Sequence, residues 1–590
     1  MYRPVLDAVA GSLFITALVA TLPLLTLFIL LGVVRMRAWL ASLIALGVSI
    51  LVAVIAYSMP IGQAVLSATE GAAFGFFPIL WIVINAIWIY NMTVVTGHFD
   101  VLRRSFASVS DDARIQAVIV AFCFGALLEA LAGFGTPVAI TTLMLMALGF
   151  RPFKAAAVSL VANTAPVAFG ALATPITTLA TVSGLPEHAL SQMVGRQTPI
   201  LGIFVPMALV FIIDRGKGVR ETLPATLACG LAFGITQFVT ANYISTQLTD
   251  IVASLVSALV VVLLMRVWRP ANRYVEADTD GDVLAGAGTG AAAQAAASTG
   301  APAATPAAAR AGRDDGAGSD HPIGEGVGTR EEFAARDATA HDTRSDVIKA
   351  YAPYVIIVLV FVLAQLPGIK DVLAAKWANP SFAWPGLQLQ TPDGKPSTIP
   401  TFRFNWLGAT GTLVLIAGLI TIPVIGISWG KAVRVYGQTY KQLAAAIVTV
   451  MAVLALAYVM NASGQTSTLG SWLAASGGLF AILSPILGWL GVAVTGSDTS
   501  SNSLFGALQV SAARQAGLNP LLMAAANSSG GVLGKMVSPQ NLAIAAGAVA
   551  MAGKEGDIFR RVLGWSLGFL AFMCVLVYLQ STPVLSWMIP

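Results

Sequence analysis

The chain has 590 residues, 57% of them hydrophobic and only 10% charged, with a formal net charge of +5. Soluble domains carry about 25% charged residues, so a mean hydropathy of +0.80 excludes an ordinary soluble protein and points to a polytopic membrane protein. The cations lie between apolar runs, where they report orientation, and no basic stripe calls for nucleic acid.

A spanning helix needs roughly 20 predominantly apolar residues, and windows of that kind recur from Val9 to Leu579. The spacing predicts an all-α fold of about 12 transmembrane helices plus two re-entrant hairpins. Arg3 and Asp7 precede the first apolar run, which has no small-residue cleavage site and reads as a retained span. Cations cluster at Arg35 and Arg37, Arg103 and Arg104, Arg215 to Arg220, Arg266 and Arg269, Lys431 to Lys441, and Arg560 and Arg561. The positive-inside rule places all of these in the cytoplasm and both termini outside. Lys370, Lys376, Lys395 and Arg403 fall outside, in a stretch from Gly368 to Asn405 too long for that rule to govern.

Within the N-terminal membrane repeat, 1–266, the segment 115–150 has Arg114 before it and Arg151 with Lys154 after it, so both ends belong to the cytoplasm. It is too short for two spans, and Ala132-Gly133-Phe134-Gly135-Thr136-Pro137 at its middle permits a sharp turn, which predicts a re-entrant hairpin. The next apolar segment is interrupted by Asn163-Thr164-Ala165-Pro166. From Thr279 to His341 the composition turns to Ala, Gly, Thr, Asp and Pro, so 267–349 is predicted as a cytoplasmic linker with a disordered centre.

The C-terminal repeat, 350–590, carries a second predicted hairpin over 471–516, entering from outside, with Gly496-Ser497-Asp498-Thr499-Ser500-Ser501-Asn502-Ser503 at its middle. Each hairpin is followed by a Gly-x-x-Pro turn, Gly149 to Pro152 and Gly517 to Pro520. Then comes a segment whose Asn163 or Asn527 is trailed by Gly seven positions on and Pro twelve positions on. Lipid offers backbone groups no hydrogen bonds, so amides, hydroxyls, Gly and Pro inside a span must face protein or water. With opposite predicted directions, the two copies form an inverted repeat, the pattern from which secondary transporters build midplane sites. A parallel repeat is the rival.

Glu129 lies within the first hairpin, away from its charged ends. An intramembrane acid is costly, and it serves either proton coupling or as a neutral, hydrogen-bonded structural group. Asp498 at the second tip is either a cation or proton site or an N-cap. Lys535 needs an anion, which is a substrate carboxylate or an internal partner, Asp498 or Glu129; alternatively it reaches for the inner surface. Asn163, Thr164, Thr136, Ser497, Thr499, Asn527, Ser528 and Ser529 offer donors for a small acid, and Thr136, Thr164 and Thr499 also suit Na⁺ at helix breaks. Cys123, Cys229 and Cys574 read as isolated packing residues, with no metal ligand set. Trp81, Trp88 and Tyr90 read as packing or anchoring aromatics, and Arg196 and His188 as surface residues. No catalytic motif or P-loop is present in the sequence, and neither an enzymatic activity nor a cofactor is expected.

Glu129 to Pro137, Asn163 to Gly170, Gly496 to Asn502 and Val537 to Asn541 together resemble the bacterial L-lactate permease family, in order and across both halves. The resemblance implies uptake of L-lactate, and commonly glycolate and other 2-hydroxymonocarboxylates, with protons across the bacterial cytoplasmic membrane. It assigns no role to Glu129, Asp498 or Lys535. The Ala-rich insert is longer than the family leads one to expect. A sodium-coupled carboxylate carrier and a passive anion channel are the alternative functions.

Overall fold

The computed structural model describes residues 1–274 and 342–590 apart from Arg35, Ser108, Phe134, Gln365, 391–393, 395–396, 398–399, Ala550 and 552–553. The core of the predicted linker, Thr279 to His341, lies outside the described residues, as do Arg35, Phe134 and Lys395. The described chain is helical almost throughout. Its one ladder pairs Ser381–Ala383 with Thr401–Arg403, antiparallel, among the described residues. Exposed Leu18, Leu51, Ile55, Leu359 and Val575 leave apolar helix faces turned outward, as a lipid solvent requires.

Among the described residues, ten helices are long and apolar enough to cross a membrane, or eleven if the bent pair Pro152–Ala162 with Val167–Ser183 is one span. The expectation was about 12. The count differs because some apolar windows fuse and others fall short. Thr198–Val239 is one 42-residue element that turns at Asp214 and Arg215. It folds back on itself, with Gly230 and Gly234 against Ile203. Thr136–Ala147 and Thr410–Ile425 are shorter than a span.

The first hairpin pairs an arm over Ala113–Leu131, wholly buried inside protein, with Thr136–Ala147. Gly133 and Gly135 turn the chain at φ +53° and +84°, values that favour glycine, and Gly125 of one arm faces Thr141 of the other. Its foot is tied down by Arg114. The guanidinium bonds Asp112 Oδ2 at 2.8 Å, Asp214 Oδ2 at 2.8 Å, Glu221 Oε2 at 2.7 Å and the Asn272 carbonyl at 2.8 Å. Nearby, Arg104 donates to both oxygens of Asp342 and holds that carboxyl below the usual carboxylate range. The chain therefore leaves at Tyr274 and returns at Asp342 beside one stretch, 98–116.

The second antiparallel pair is Phe480–Thr495 with Asp498–Gln515, turned at Gly496 and Ser497. Ser471 belongs to a separate helix, Gln465–Ala474, so the paired arms begin nine residues after the sequence boundary. The first arm lies directly on Pro520–Gly534. Gly488 faces the Asn527 backbone and Gly530 faces that of Pro485, so each glycine admits the other helix's main chain.

That contact corrects one expectation. Asn527-Ser528-Ser529-Gly530 does not interrupt its segment, because Pro520–Gly534 runs straight through it, started by the Asn519 cap and Pro520. The break comes at Lys535–Val537 and Ser538, before Pro539–Ala548. In the first half the helix does stop at Asn163, and the chain bends by 63°. The cysteines are not all isolated either: the buried thiols of Cys123 and Cys229 meet at 3.5 Å.

A side chain at residue 530 would collide with the Pro485 backbone. Gly530→Val should therefore cost about 1–3 kcal/mol, measured as a fall of several degrees in melting temperature in detergent. An unchanged value would show that the two helices do not depend on this approach.

Candidate functional site

Glu129 and Lys535 meet in the interior, joining the first hairpin to the break of the second half. Lys535 Nζ donates to Glu129 Oε1 at 2.5 Å, both side chains being more than nine-tenths buried. Asn163 Nδ2, at the end of its helix, donates to Glu129 Oε2 at 2.9 Å. Gly170 is what lets the acid lie there, since a Cβ at that position would sit 2.8 Å from Glu129 Oε1. Of the two internal partners open to Lys535, Glu129 is the one it meets.

A small cavity of about 50 Å³ adjoins the pair. It is lined by Glu129, Gly133, Gly170, Ala171, Pro175, Ser497, Asp498, Thr499, Lys535 and Gln540, among others. Asp498 accepts from Ser528 Oγ at 2.6 Å and from Asn502 Nδ2 at 3.3 Å through the same oxygen. Its buried Oδ1 has no partner among the described residues. The N-cap role goes to the preceding residue, Ser497, whose hydroxyl accepts from the Ser500 amide.

Four helices begin beside this cavity: Thr136–Ala147, Gly170–Ser183, Asp498–Gln515 and Pro539–Ala548. Helix N-termini carry a partial positive charge that favours an anion; Ser497 and Ser538 cap two of them at the Ser500 and Asn541 amides, and Gly170–Ser183 takes up regular helix only after Ala173. The backbone there is costly. Ala171, Leu172 and Ala173 have φ of +43°, +55° and +60°, and left-handed geometry costs roughly 1–2 kcal/mol per non-glycine residue. Strain of this kind persists where surrounding structure over-determines it, which is characteristic of functional sites.

The sequence candidates divide into two groups. Glu129, Ser497, Asp498, Thr499 and Lys535 line the cavity, while Asn163 and Ser528 each bond one of its carboxylates. Thr136, Thr164, Asn527 and Ser529 are off the lining. Asn527 is held between Asn502 and Gln509 at 2.9 and 3.0 Å, and Ser529 donates to Gln197 at 2.7 Å. Thr164 turns back to the Leu160 carbonyl, and Thr136, half-buried, opens its helix. Physically, one face of a continuous helix cannot aim Asn527, Ser528 and Ser529 at one point, because successive residues are rotated by about 100°.

Residues missed in the sequence complete these networks. Gln509 lies seven residues after Asn502 on one helix face, a spacing that would have exposed it. Gln197, Gln237, Asp250, Gln540 and Gln580 carry no such local signal; only their polarity inside apolar runs marks them.

A wider vestibule of about 1320 Å³ is lined by Thr177, Thr181, Glu187, Gln247, Arg403 and Arg514, among others. Helices Gly170–Ser183 and Asp498–Gln515 both start at the small cavity and carry their later turns, through Thr177 and Thr181 and through Ala507 and Ser511, along the vestibule wall.

The sequence profile described as L-lactate permease matches residues 16–305 and 327–584. An L-lactate permease of Bacillus subtilis (strain 168) is 38% identical over 600 residues, covering 99% of this chain and 98% of that protein. Glycolate permease GlcA of Escherichia coli (strain K12) is 39% identical, covering 98% and 97%. The L-lactate permease of the same strain is 38% identical, covering 98% of each chain.

Removing one member of a buried ion pair leaves the other uncompensated, at about 3–5 kcal/mol. Lys535→Met should therefore lower the melting temperature in detergent more than the double change Glu129→Gln with Lys535→Met. A double variant no more stable than Lys535→Met alone would count against the pair.

Proposed function

The chain belongs to the L-lactate permease family, and from that membership we propose that it imports L-lactate and related 2-hydroxymonocarboxylates, D-lactate and glycolate among them, together with protons across the bacterial cytoplasmic membrane. The observation that carries the coupling is the Lys535–Glu129 contact. A buried ammonium requires one anion at close range. While Glu129 is ionised, it is that anion. Protonating Glu129 removes its charge and frees Lys535 for the carboxylate of a substrate, so anion and proton enter together and the site stays neutral.

The surroundings support this exchange of partners. The four helix N-termini add positive potential for an incoming carboxylate, and Ser497, Thr499 and Ser528 offer hydroxyls to the 2-hydroxy group. Asn163 keeps Glu129 oriented in either protonation state, because its amide can donate to a neutral or an ionised oxygen. Asp498, which lines the cavity and whose buried Oδ1 has no partner among the described residues, is the second protonatable group. The cavity of about 50 Å³ is small, and in the proposed cycle the Lys535–Glu129 contact opens as the substrate carboxylate binds. Thr136, Thr164, Asn527 and Ser529 take framework roles.

Architecturally, we assign 1–266 and 350–590 as inverted membrane repeats joined by a cytoplasmic segment, 267–349, with 115–150 and 480–515 as re-entrant hairpins whose tips bound the site. Alternating access then comes from the hairpin-bearing elements moving against the remaining spans.

Radiolabelled lactate uptake in reconstituted vesicles, with pH and Na⁺ gradients imposed separately, tests the reading. Accumulation driven by the pH gradient alone and abolished by a protonophore is expected. Accumulation that follows Na⁺ identifies a sodium-coupled carrier, and flux without saturation or uphill movement identifies a passive channel; either result overturns proton symport. Glu129→Gln should abolish uphill uptake while lactate exchange persists, and normal accumulation would remove Glu129 from the mechanism. In that background, Lys535→Met should weaken lactate binding about 10- to 100-fold, the equivalent of a hydrogen bond to a charged group.

A further inference from the structure

Asp250, on the first turn of Thr249–Val267, is fully buried. Its Oδ1 accepts from Gln237 Nε2 at 2.8 Å, and the same amide nitrogen reaches the Ala165 carbonyl at 3.5 Å, inside the break of the bent segment. Two residues before Ala165, Asn163 donates to Glu129. Asp250, Gln237 and the Ala165 carbonyl thus form one hydrogen-bonded set, and two residues along the same break Asn163 bonds the acid that pairs with Lys535.

Two acceptors along this route have no donor among the described residues, Asp250 Oδ2 and Asn163 Oδ1. Buried acceptors left in this way call for water or for a proton of their own. On the other side of Asp250, three residues earlier in the chain, Gln247 donates to Glu187 at 2.8 Å, and both line the vestibule. Asp250 thus follows the vestibule wall by three residues in the chain and bonds toward the break that holds Glu129, and it is not among the residues that line the substrate cavity.

The charged surroundings of Asp250 are sparse. Glu129 belongs to the arm of the first hairpin that packs against Thr249–Val267. Cys123 of that arm meets Ser257 farther along the helix and Cys229 of the folded-back element, while Asp214 and Glu221 are held by Arg114 at the opposite end.

We propose that Asp250 is the proton-uptake carboxyl of the transport cycle, loaded from the vestibule and discharging to Glu129. In the transfer, Asp250 loses the proton from a carboxyl oxygen, a water at the Asn163–Pro166 break carries it, and Glu129 accepts it. The negative charge passes the other way, to Asp250, and Lys535 is released for the substrate carboxylate. The inference rests on the proton-coupled reading above.

Asp250→Asn, Asp250→Glu and the wild-type chain, each purified as a monodisperse full-length protein and reconstituted, provide the test. Net lactate uptake driven by a pH gradient is compared with lactate–lactate exchange at equal pH. For Asp250→Asn, net uptake falls at least about tenfold and becomes insensitive to external pH, exchange remains measurable, and Asp250→Glu restores the pH response. Net uptake in Asp250→Asn with wild-type rate and pH profile overturns this inference alone. Equal loss of exchange and net uptake in Asp250→Asn, unrescued by Asp250→Glu, makes Asp250 structural and also overturns it. A wild-type protein indifferent to the pH gradient overturns the proton-coupled reading and this inference together.

Discussion

The contact on which the architecture turns is the ammonium of Lys535 against the carboxylate of Glu129, 406 residues apart in sequence. Charges withdrawn from water are expensive, and a buried pair seldom stabilises a protein more than apolar side chains of the same volume. This pair also forces costly surroundings: a glycine at residue 170 to make room, an asparagine at a helix end to satisfy the second oxygen, and left-handed backbone beside it. Its presence is therefore better explained by a partner-exchange role than by stability. It is also the direct chemical link between the first hairpin and the break of the second half.

Irregular backbone at membrane depth is tolerated only where protein or a polar cavity surrounds it. Here the first hairpin's long arm is wholly buried, and both breaks open toward the same cavity. Convergence of four helix starts supplies positive potential without further buried cations, which would each need their own counter-charge. In the proposed exchange, Glu129 and a substrate carboxylate are the alternative partners of Lys535.

Most of the remaining intramembrane polarity is structural. Asn502, Asn527 and Gln509 bond one another and the Pro175 and Ser484 carbonyls, while Ser529, Gln197 and Gln580 form a second chain. Such networks fix the second hairpin against Pro520–Gly534, where Gly488 and Gly530 already bring main chains into contact. Rigid placement of the tip is what keeps Asp498 and Thr499 on the cavity wall.

Composition and hydropathy alone were enough to establish an all-helical membrane chain, because lipid imposes length and apolarity on every span. The intramembrane charges were equally visible, since Glu129, Asp498 and Lys535 stand out against apolar neighbours. Local sequence also identified both glycine turns, whose positive φ values side chains disfavour. Which polar residues meet was decided only in three dimensions. Asn163 ends a helix and holds Glu129, whereas Asn527, in the matching motif, stays inside a continuous helix and holds Asn502. Distance along the chain carries no information about a bond such as that between Gln237 and Asp250 or between Lys535 and Glu129. Those depend on how packed helices rotate their faces toward one another, a property of the assembled bundle and of no single segment.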